Sequence, residues 1–476
     1  MPKLRRTKII CTIGPSSEGR TVIREMIRAG MDVARLNFSH GEPSWHREVA
    51  VMVREESRSC SKAVALLQDL QGVKIRIGEV ENGAVELCAG MKVEVLPGNG
   101  ITTASQVYVR YEKLLEDLQD GDDILLDDGS LRLKVVEKSS TKLMAQVLEG
   151  GWLRSRKGVS FPGVRTSVRT FTEKDKIDLR TGTEIGVDYV AVSFIKDAED
   201  IVRIKEWMKR ENLPPVPLIA KIEKYEAICS IQEICEVAEG IMVARGDLGV
   251  ETPLEMVPVY QKKLMDTANK KGKIVIVATQ MLESMRESPR PTRAEVTDVA
   301  NAVLDGADAL MLSAETATGR YPVEATQFMH MLIANAEEHF LFRIPVVYEP
   351  RGIFPEAIVA GAVRAACDIQ ARAMVVFTQS GFTAFLLSQL RPAIPIVAFT
   401  PNPRTLQQLA LIWGIFPRML PQETNADDFY RLRRAEEMLL QEDFVRAGDP
   451  VVFVTSSPFL GSGNLIRLHR IGDPFK

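Results

Sequence analysis

Short apolar runs punctuate the first three quarters of the chain. They read KIICT (8–12), VARLN (33–37), VALLQD (64–69), YVAVSF (189–194), PLIAKI (217–222), GIMVAR (240–245), IVIVAT (274–279) and ALMLSA (309–314). All are rich in Val, Ile, Leu and Ala, and none alternates with polar residues, which suits parallel strands buried on both faces. Helical stretches separate them. Residues 16–30 predict a helix stopped by Gly30. Thr172 with Asp175, Asp197 with Asp200, and Thr292 with Glu295 have the spacing of N-terminal capping boxes or their acidic analogues. Eight strands alternating with helices over about 250 residues is the arithmetic of a (β/α)8 TIM barrel, with a doubly wound sheet as the alternative.

The rhythm breaks after the third strand. VENGAVEL holds an Asn-Gly turn, MKVEVL alternates, and ILLDDGSLRLKVV places an Asp-Gly turn between two strand-like runs. Residues 75–168 therefore predict an inserted all-β domain, a small β-barrel above the main one. Residues 1–74 and 169–345 make the (β/α)8 barrel. After residue 345 a fresh α/β pattern begins, with strands at AMVVFT (373–378), PIVAFT (395–400) and PVVFVTS (450–456). Residues 346–476 predict a third, C-terminal α/β domain.

Composition narrows the function classes. With 476 residues, 45% hydrophobic and 26% charged, the chain reads as a soluble globular protein. Sixty Lys and Arg against 63 Asp and Glu leave a net charge of −3, which argues against a nucleic-acid-coating protein. The six cysteines form no C-x-x-C pair, so neither a zinc site nor a disulfide framework is expected. No run of 18 apolar residues is present, and the apolar part of the N-terminus is too short for a signal-peptide core. The expectation is a cytoplasmic protein with neither nucleic-acid nor membrane partners.

Chemistry in such a barrel sits at the C-terminal ends of the strands. Polar residues collect there: Arg35, Asn37, Ser39 and His40 after the second strand, and Asp69 after the third. Lys221 and Glu223 follow on the fifth, Arg245, Gly246 and Asp247 on the sixth, Thr279 and Gln280 on the seventh, Ser313 and Glu315 on the eighth. Glu223 and Asp247, on adjacent strands, could hold a hard divalent cation, since Mg²⁺ takes one or two carboxylates plus substrate oxygens. Lys221, Arg35, Arg76 and Lys157 add positive charge, so the substrate should carry several negative charges, such as a phosphoryl group and a carboxylate. Phosphoryl transfer needs positioning and charge neutralisation more than covalent chemistry. Each residue also has a structural reading: Lys221–Glu223 as an ion pair, Asp247 as a turn or cap residue, His40 as a packed or surface histidine, Thr279 as an N-cap.

Several longer stretches carry a family resemblance: TKIICTIGPSS, MDVARLNFSHG (31–41), SRKGVSFPG (155–163), IAKIEKYEAI (219–228), IMVARGDLGVE (241–251), VATQMLESM (277–285) and PTRAEVTDVANAVLDGADALMLSAETATGRYPVEA (291–325). In this order they resemble the pyruvate kinases along essentially the whole chain. The resemblance implies transfer of the phosphoryl group of phosphoenolpyruvate to ADP, giving ATP and pyruvate. It implies that Lys221 steadies the phosphoryl group in flight, that Glu223 and Asp247 bind Mg²⁺ (or Mn²⁺), and that Arg35 holds the phosphoryl group. Gly246, Asp247 and Thr279 would hold the substrate carboxylate. Arg76 and Lys157 would meet the ADP phosphates, with Pro15, Asn37 and His40 nearby. Thr279 and Ser313 would relay a proton to the enolate carbon. The inserted domain would be a lid, the C-terminal domain regulatory, and the assembly a homotetramer.

The chain departs from the family at one point. Many members read D-T-K-G-P-E after the third strand, where the Glu accompanies a bound K⁺; here Asp69 is followed by Leu70, Gln71, Gly72, Val73 and Lys74. Leu70, Gln71, Lys74 and Ile77 resemble the potassium-independent branch. An ammonium in or near that pocket would supply the charge of K⁺, leaving Asn37, Ser39 and Asp69 to position Arg35 and Lys74. In the third domain TQSGFT (378–383), with Thr378, Ser380, Gly381 and Thr383, matches the family's effector phosphate loop. The segment at 457–468, short and poor in basic residues before Arg467, points to a monophosphate effector such as a sugar monophosphate or AMP. Two other functions compete: a Mg²⁺-enolate barrel lyase or aldolase, and an inactive effector-binding scaffold.

Overall fold

The computed structural model describes residues 4–168, 170–340, 349–350, 352–421, 428–455 and 464–475. The eight apolar runs form eight strands, from Lys8–Thr12 through Val33–Asn37, Ala65–Asp69, Tyr189–Val192, Leu218–Ile222, Gly240–Ala244 and Ile274–Ala278 to Ala309–Leu312. Each pairs in parallel with the next, and the eighth closes on the first through Lys8↔Ala309 and Ile10↔Met311. Nearly every strand residue is buried, which is why the runs do not alternate.

The caps behave as their sequence spacing demands. Thr172 and Thr292 form reciprocal capping boxes with Asp175 and Glu295, and the Asp197 carboxylate accepts from the Asp200 amide. The first helix starts later than expected, at Arg20, and runs to Ala29. Residues before it are held in a turn, where the Ser17 amide donates to the Gly14 carbonyl at 2.8 Å. Pro15 therefore stays on an exposed loop at the barrel rim.

The insertion forms a six-stranded and a two-stranded sheet around one apolar core, and the chain entering it adds single bridges such as Ile77↔Val109. Asn82 and Gly83 take the positive φ of a tight turn. The strand that follows, Ala84–Leu87, nevertheless pairs with the distant Gly151–Arg154, so this turn does not make a hairpin. The Asp-Gly turn does, joining Asp123–Leu126 to Leu131–Lys138.

The C-terminal sheet has five strands. Sequence reading finds Ala373–Phe377, Ile396–Thr400 and Pro450–Thr455 but misses the two edges, Ile415–Met419 and the antiparallel Leu465–Arg470. Edge strands tolerate proline and charge; IFPRM carries a proline and LIRLHR two arginines.

This sheet's helices dock onto the foot of the barrel. Barrel-interior residues such as Ile10, Leu67 and Met242 share one apolar cluster with Leu386, Leu409 and Ile412. Polar bonds fasten the junction: Tyr189 hydroxyl to the Gln408 carbonyl at 2.8 Å, and Lys8 ammonium to the Ile415 carbonyl at 2.6 Å. Arg391 is buried there, 2.7 Å from the buried Asp308, and its guanidinium lies over the Trp413 ring. Removing one partner of a buried pair strands the other charge. Arg391→Leu should therefore cost about 3–5 kcal/mol in urea unfolding, and the Arg391→Leu/Asp308→Asn double variant should recover part of that loss.

Candidate active site

The mouth of the barrel is organised around Asp69. Its carboxylate, at the end of the third strand, is almost fully buried and accepts from Arg35 Nε at 2.7 Å, with Lys221 Nζ at 3.3 Å. Arg35 also donates to Thr12 Oγ1 at 2.9 Å. Lys221 donates to Ser193 Oγ at 2.7 Å and pairs with Glu223 at 2.8 Å. Strand ends one to five thus meet in a single polar cluster above an apolar barrel.

The charges settle one another. Burial works against the Lys221 ammonium, yet Asp69 and Glu223 outweigh it and hold its pKa above the ordinary value. Burial would likewise raise Asp69, but Lys221 and Arg35 bring it below the usual carboxylate range. Glu223 is different. Burial pushes it up to about 7, with Asp247 adding to the push while Lys221 and the Phe194 amide, which donates to Glu223 at 2.6 Å, pull it down. Glu223 and Asp247 are thus two mutually repelling carboxylates, an oxygen donor set fit for a hard divalent cation. No cluster of three or more His, Cys, Asp or Glu lies ready for a metal among the described residues. The remaining positions of such an ion would fall to substrate and water.

Across the barrel, Arg245 grips Asp298 through both carboxylate oxygens, at 2.7 and 2.8 Å, and donates to the Thr279 carbonyl at 2.7 Å. Thr279 and Gln280 are held at φ of 68° and 54°, a costly conformation for a β-branched residue and one that clusters at functional sites. The Gly246 amide, at the start of the short helix Arg245–Glu251, donates to Thr279 Oγ1 at 2.8 Å. The amide expected to hold a carboxylate already has a hydroxyl partner. Ser313 Oγ is buried and makes no hydrogen bond among the described residues, and its amide donates to Glu315 at 2.7 Å.

The structure departs from expectation at Lys74. Its ammonium bonds Asp128 of the insertion at 2.8 Å and lies 3.7 Å from Asp247. Asp69 positions Arg35 and Lys221 instead, and Asn37 accepts from the Ser39 amide at 3.2 Å. Leu70 is buried, and its carbonyl accepts from the Ser193 hydroxyl. Arg76 and Lys157 lie on paired segments at the base of the insertion: the Ile77 amide donates to the Lys157 carbonyl, and Lys157 pairs with Asp127 at 2.8 Å. His40 is exposed on the loop after the second strand, its carbonyl 3.0 Å from His46 Nε2. Sequence reading overlooked Ser193 and the Phe194 amide. The signal was present, because Ser193 stands at the C-terminal end of the fourth run.

In the third domain Thr378 Oγ1 accepts from the Gly381 amide at 2.9 Å, and Gly381, at φ 85°, caps the helix Phe382–Gln389. Thr378 and Thr383 are buried and Ser380 is exposed. Residues 457–463 of the second effector segment lie outside the described residues.

Comparison with known proteins agrees with this geometry. Residues 4–326 match the family described as pyruvate kinase, barrel domain, and residues 356–469 match pyruvate kinase, alpha/beta domain. The chain is 41% identical over 476 residues to a pyruvate kinase of Geobacillus stearothermophilus, covering 98% of this chain and 81% of the relative. It is 42% identical over 472 residues to a pyruvate kinase of Mycobacterium tuberculosis (strain ATCC 25618 / H37Rv), covering 98% and 99%. The crystal structure of a pyruvate kinase from Cryptosporidium parvum superposes with a TM-score of 0.92 at 34% identity, covering 98% of this chain and 96% of that one.

The raised Glu223 has a pH signature. Between about pH 4.5 and 7 the folded protein keeps a proton on Glu223 that the unfolded chain releases, so this group's contribution to stability falls as pH rises. Without added divalent metal, the stability of the native protein relative to Glu223→Gln should therefore fall with rising pH across that window, as followed by calorimetric unfolding; a relative stability constant in pH would contradict the assignment.

Proposed function

The chain belongs to the pyruvate kinase family, and we propose that it transfers the phosphoryl group of phosphoenolpyruvate to ADP with the residues gathered around Asp69. The observation that carries this reading is the shared carboxylate: Asp69 holds Arg35 and Lys221 side by side, facing Glu223. Arg35 and Lys221 meet the phosphoryl oxygens, and their charge is preorganised, so it costs no reorganisation as the group moves. Glu223 and Asp247 hold the divalent ion, Mg²⁺ in this family and Mn²⁺ as an alternative, which supplies further charge neutralisation when bound. The Asp247 amide, with Thr279, receives the substrate carboxylate, and the Gly246 amide exchanges its Thr279 partner for it. Arg76 and Lys157 meet the ADP phosphates, with Pro15, Asn37 and His40 on the facing rim. Ser313, whose hydroxyl lacks a partner among the described residues, takes part with Thr279 in moving a proton to the enolate carbon.

The proposal extends to K⁺. Lys74 places a fixed positive charge beside Asp247 and beneath the lid. That charge reaches the metal site rather than Asp69, and still supplies a monovalent cation's charge to the mouth. Catalysis without K⁺ follows. In the C-terminal domain Thr378, Ser380, Gly381 and Thr383 form a strand-to-helix turn fit for one phosphate, and a sugar monophosphate or AMP is the effector class. A homotetrameric, cytoplasmic enzyme completes the reading. No helix of the described residues is long and apolar enough to cross a membrane.

Two assays test it. Pyruvate formation from phosphoenolpyruvate and ADP should proceed with Mg²⁺ in Tris-only buffer, and Lys221→Met should lower turnover by about a thousandfold or more. Activity appearing only on addition of K⁺ would refute the Lys74 argument alone, whereas no turnover in any salt would favour the scaffold reading. Saturation curves for phosphoenolpyruvate should shift with a sugar monophosphate or AMP; a response to fructose 1,6-bisphosphate alone would refute the effector class.

A further inference from the structure

A cavity of about 570 Å³ opens between the foot of the barrel and the C-terminal domain, at the opposite end from the mouth. One wall is built from the starts of barrel strands, at Tyr189 and Ile274. The other is a face of the helix Phe382–Gln389 together with Leu409 and Ile412. The volume suits a small organic ligand, and the lining is mostly apolar, as in typical ligand sites.

Most polar groups on its walls are already partnered within the fold. The Tyr189 hydroxyl donates to the Gln408 carbonyl, and the Thr405 hydroxyl to the Gln379 carbonyl at 2.7 Å. Glu239 takes Lys205 at 2.6 Å and the Leu218 amide at 2.8 Å, and Lys271 pairs with Glu236. Among the charged groups of the wall Lys273 is the exception. It is half-buried in the wall, and its ammonium makes no ion pair or hydrogen bond among the described residues. Burial lowers its pKa, and the pull of Glu239 does not make up the difference. A cation that has lost water without gaining a partner is destabilised until an anion reaches it. With Lys271 and Glu239 each satisfied, one unpaired positive charge remains, which suits a monoanion. The exposed Phe382 ring and the partly buried Phe385 give a flat surface beside it.

We propose that this cavity binds a small aromatic carboxylate, its ring against Phe382, Phe385 and Ile412 and its carboxylate on Lys273. Ser380 and Gly381 line the same cavity, so the occupant touches the rear of the loop after the strand Ala373–Phe377.

Fluorescence titration of the full chain with 2-naphthoate tests the assignment, with 2-naphthamide as its uncharged counterpart. Saturable binding of one naphthoate per chain is expected. Lys273→Met should weaken naphthoate about tenfold, as loss of a charge-assisted bond does, and leave the weaker naphthamide binding and the turnover of phosphoenolpyruvate unchanged. Phe385→Ala should weaken both probes. Absence of saturable binding, equal affinity for the amide, or naphthoate affinity indifferent to Lys273→Met would each overturn the proposal.

Discussion

Two cations buried side by side need a carboxylate between them, and Asp69 is that carboxylate. Arg35 and Lys221 arrive on strands two and five of a barrel whose interior is apolar. Without Asp69 the buried Arg35 would lose the carboxylate that compensates its desolvation, and Lys221 would keep only Glu223. With it, positive charge stands ready for an anionic substrate at no further cost of reorganisation. Ser193 and the Phe194 amide complete the arrangement by fixing Lys221 and Glu223. Strand four, silent in a search for charged residues, thus orients the two charged residues of strand five.

The barrel was legible because burial on both faces leaves an unmistakable signature. Eight non-alternating runs appear as eight strands whose limits shift by two residues at most. Capping boxes were legible for a similar reason, since their chemistry lies within four residues. What sequence could not convey is direction. Lys74 reads as a substitute in or near the pocket of Asp69, but its side chain leaves toward Asp128 and Asp247. Nothing in the spacing from Asp69 to Lys74 states which way the chain turns into the insertion. The Asn-Gly turn misleads in the same way: its local geometry is realised, but its strand finds a partner almost seventy residues away.

Lys74 also joins two parts of the site. It belongs to the segment that leads from barrel to lid, and it contacts one carboxylate on each side. A space of about 30 Å³ lies between these surfaces, with Lys74, Asp128 and Asp247 in its lining. A lid tethered by exchangeable ion pairs can open at modest expense, because partly exposed pairs contribute little each.

The opposite end of the barrel is built on another principle. Its interior runs without interruption into the C-terminal sheet, so residues of both belong to a single apolar cluster. The column of side chains inside the barrel has no floor of its own; the C-terminal domain is the floor. The two should then lose structure as one cooperative unit, while the insertion, with a separate core, is free to open on its own. In evolutionary terms the base is hard to exchange, because a new C-terminal domain means re-fitting the bottom layer of the barrel, residue by residue.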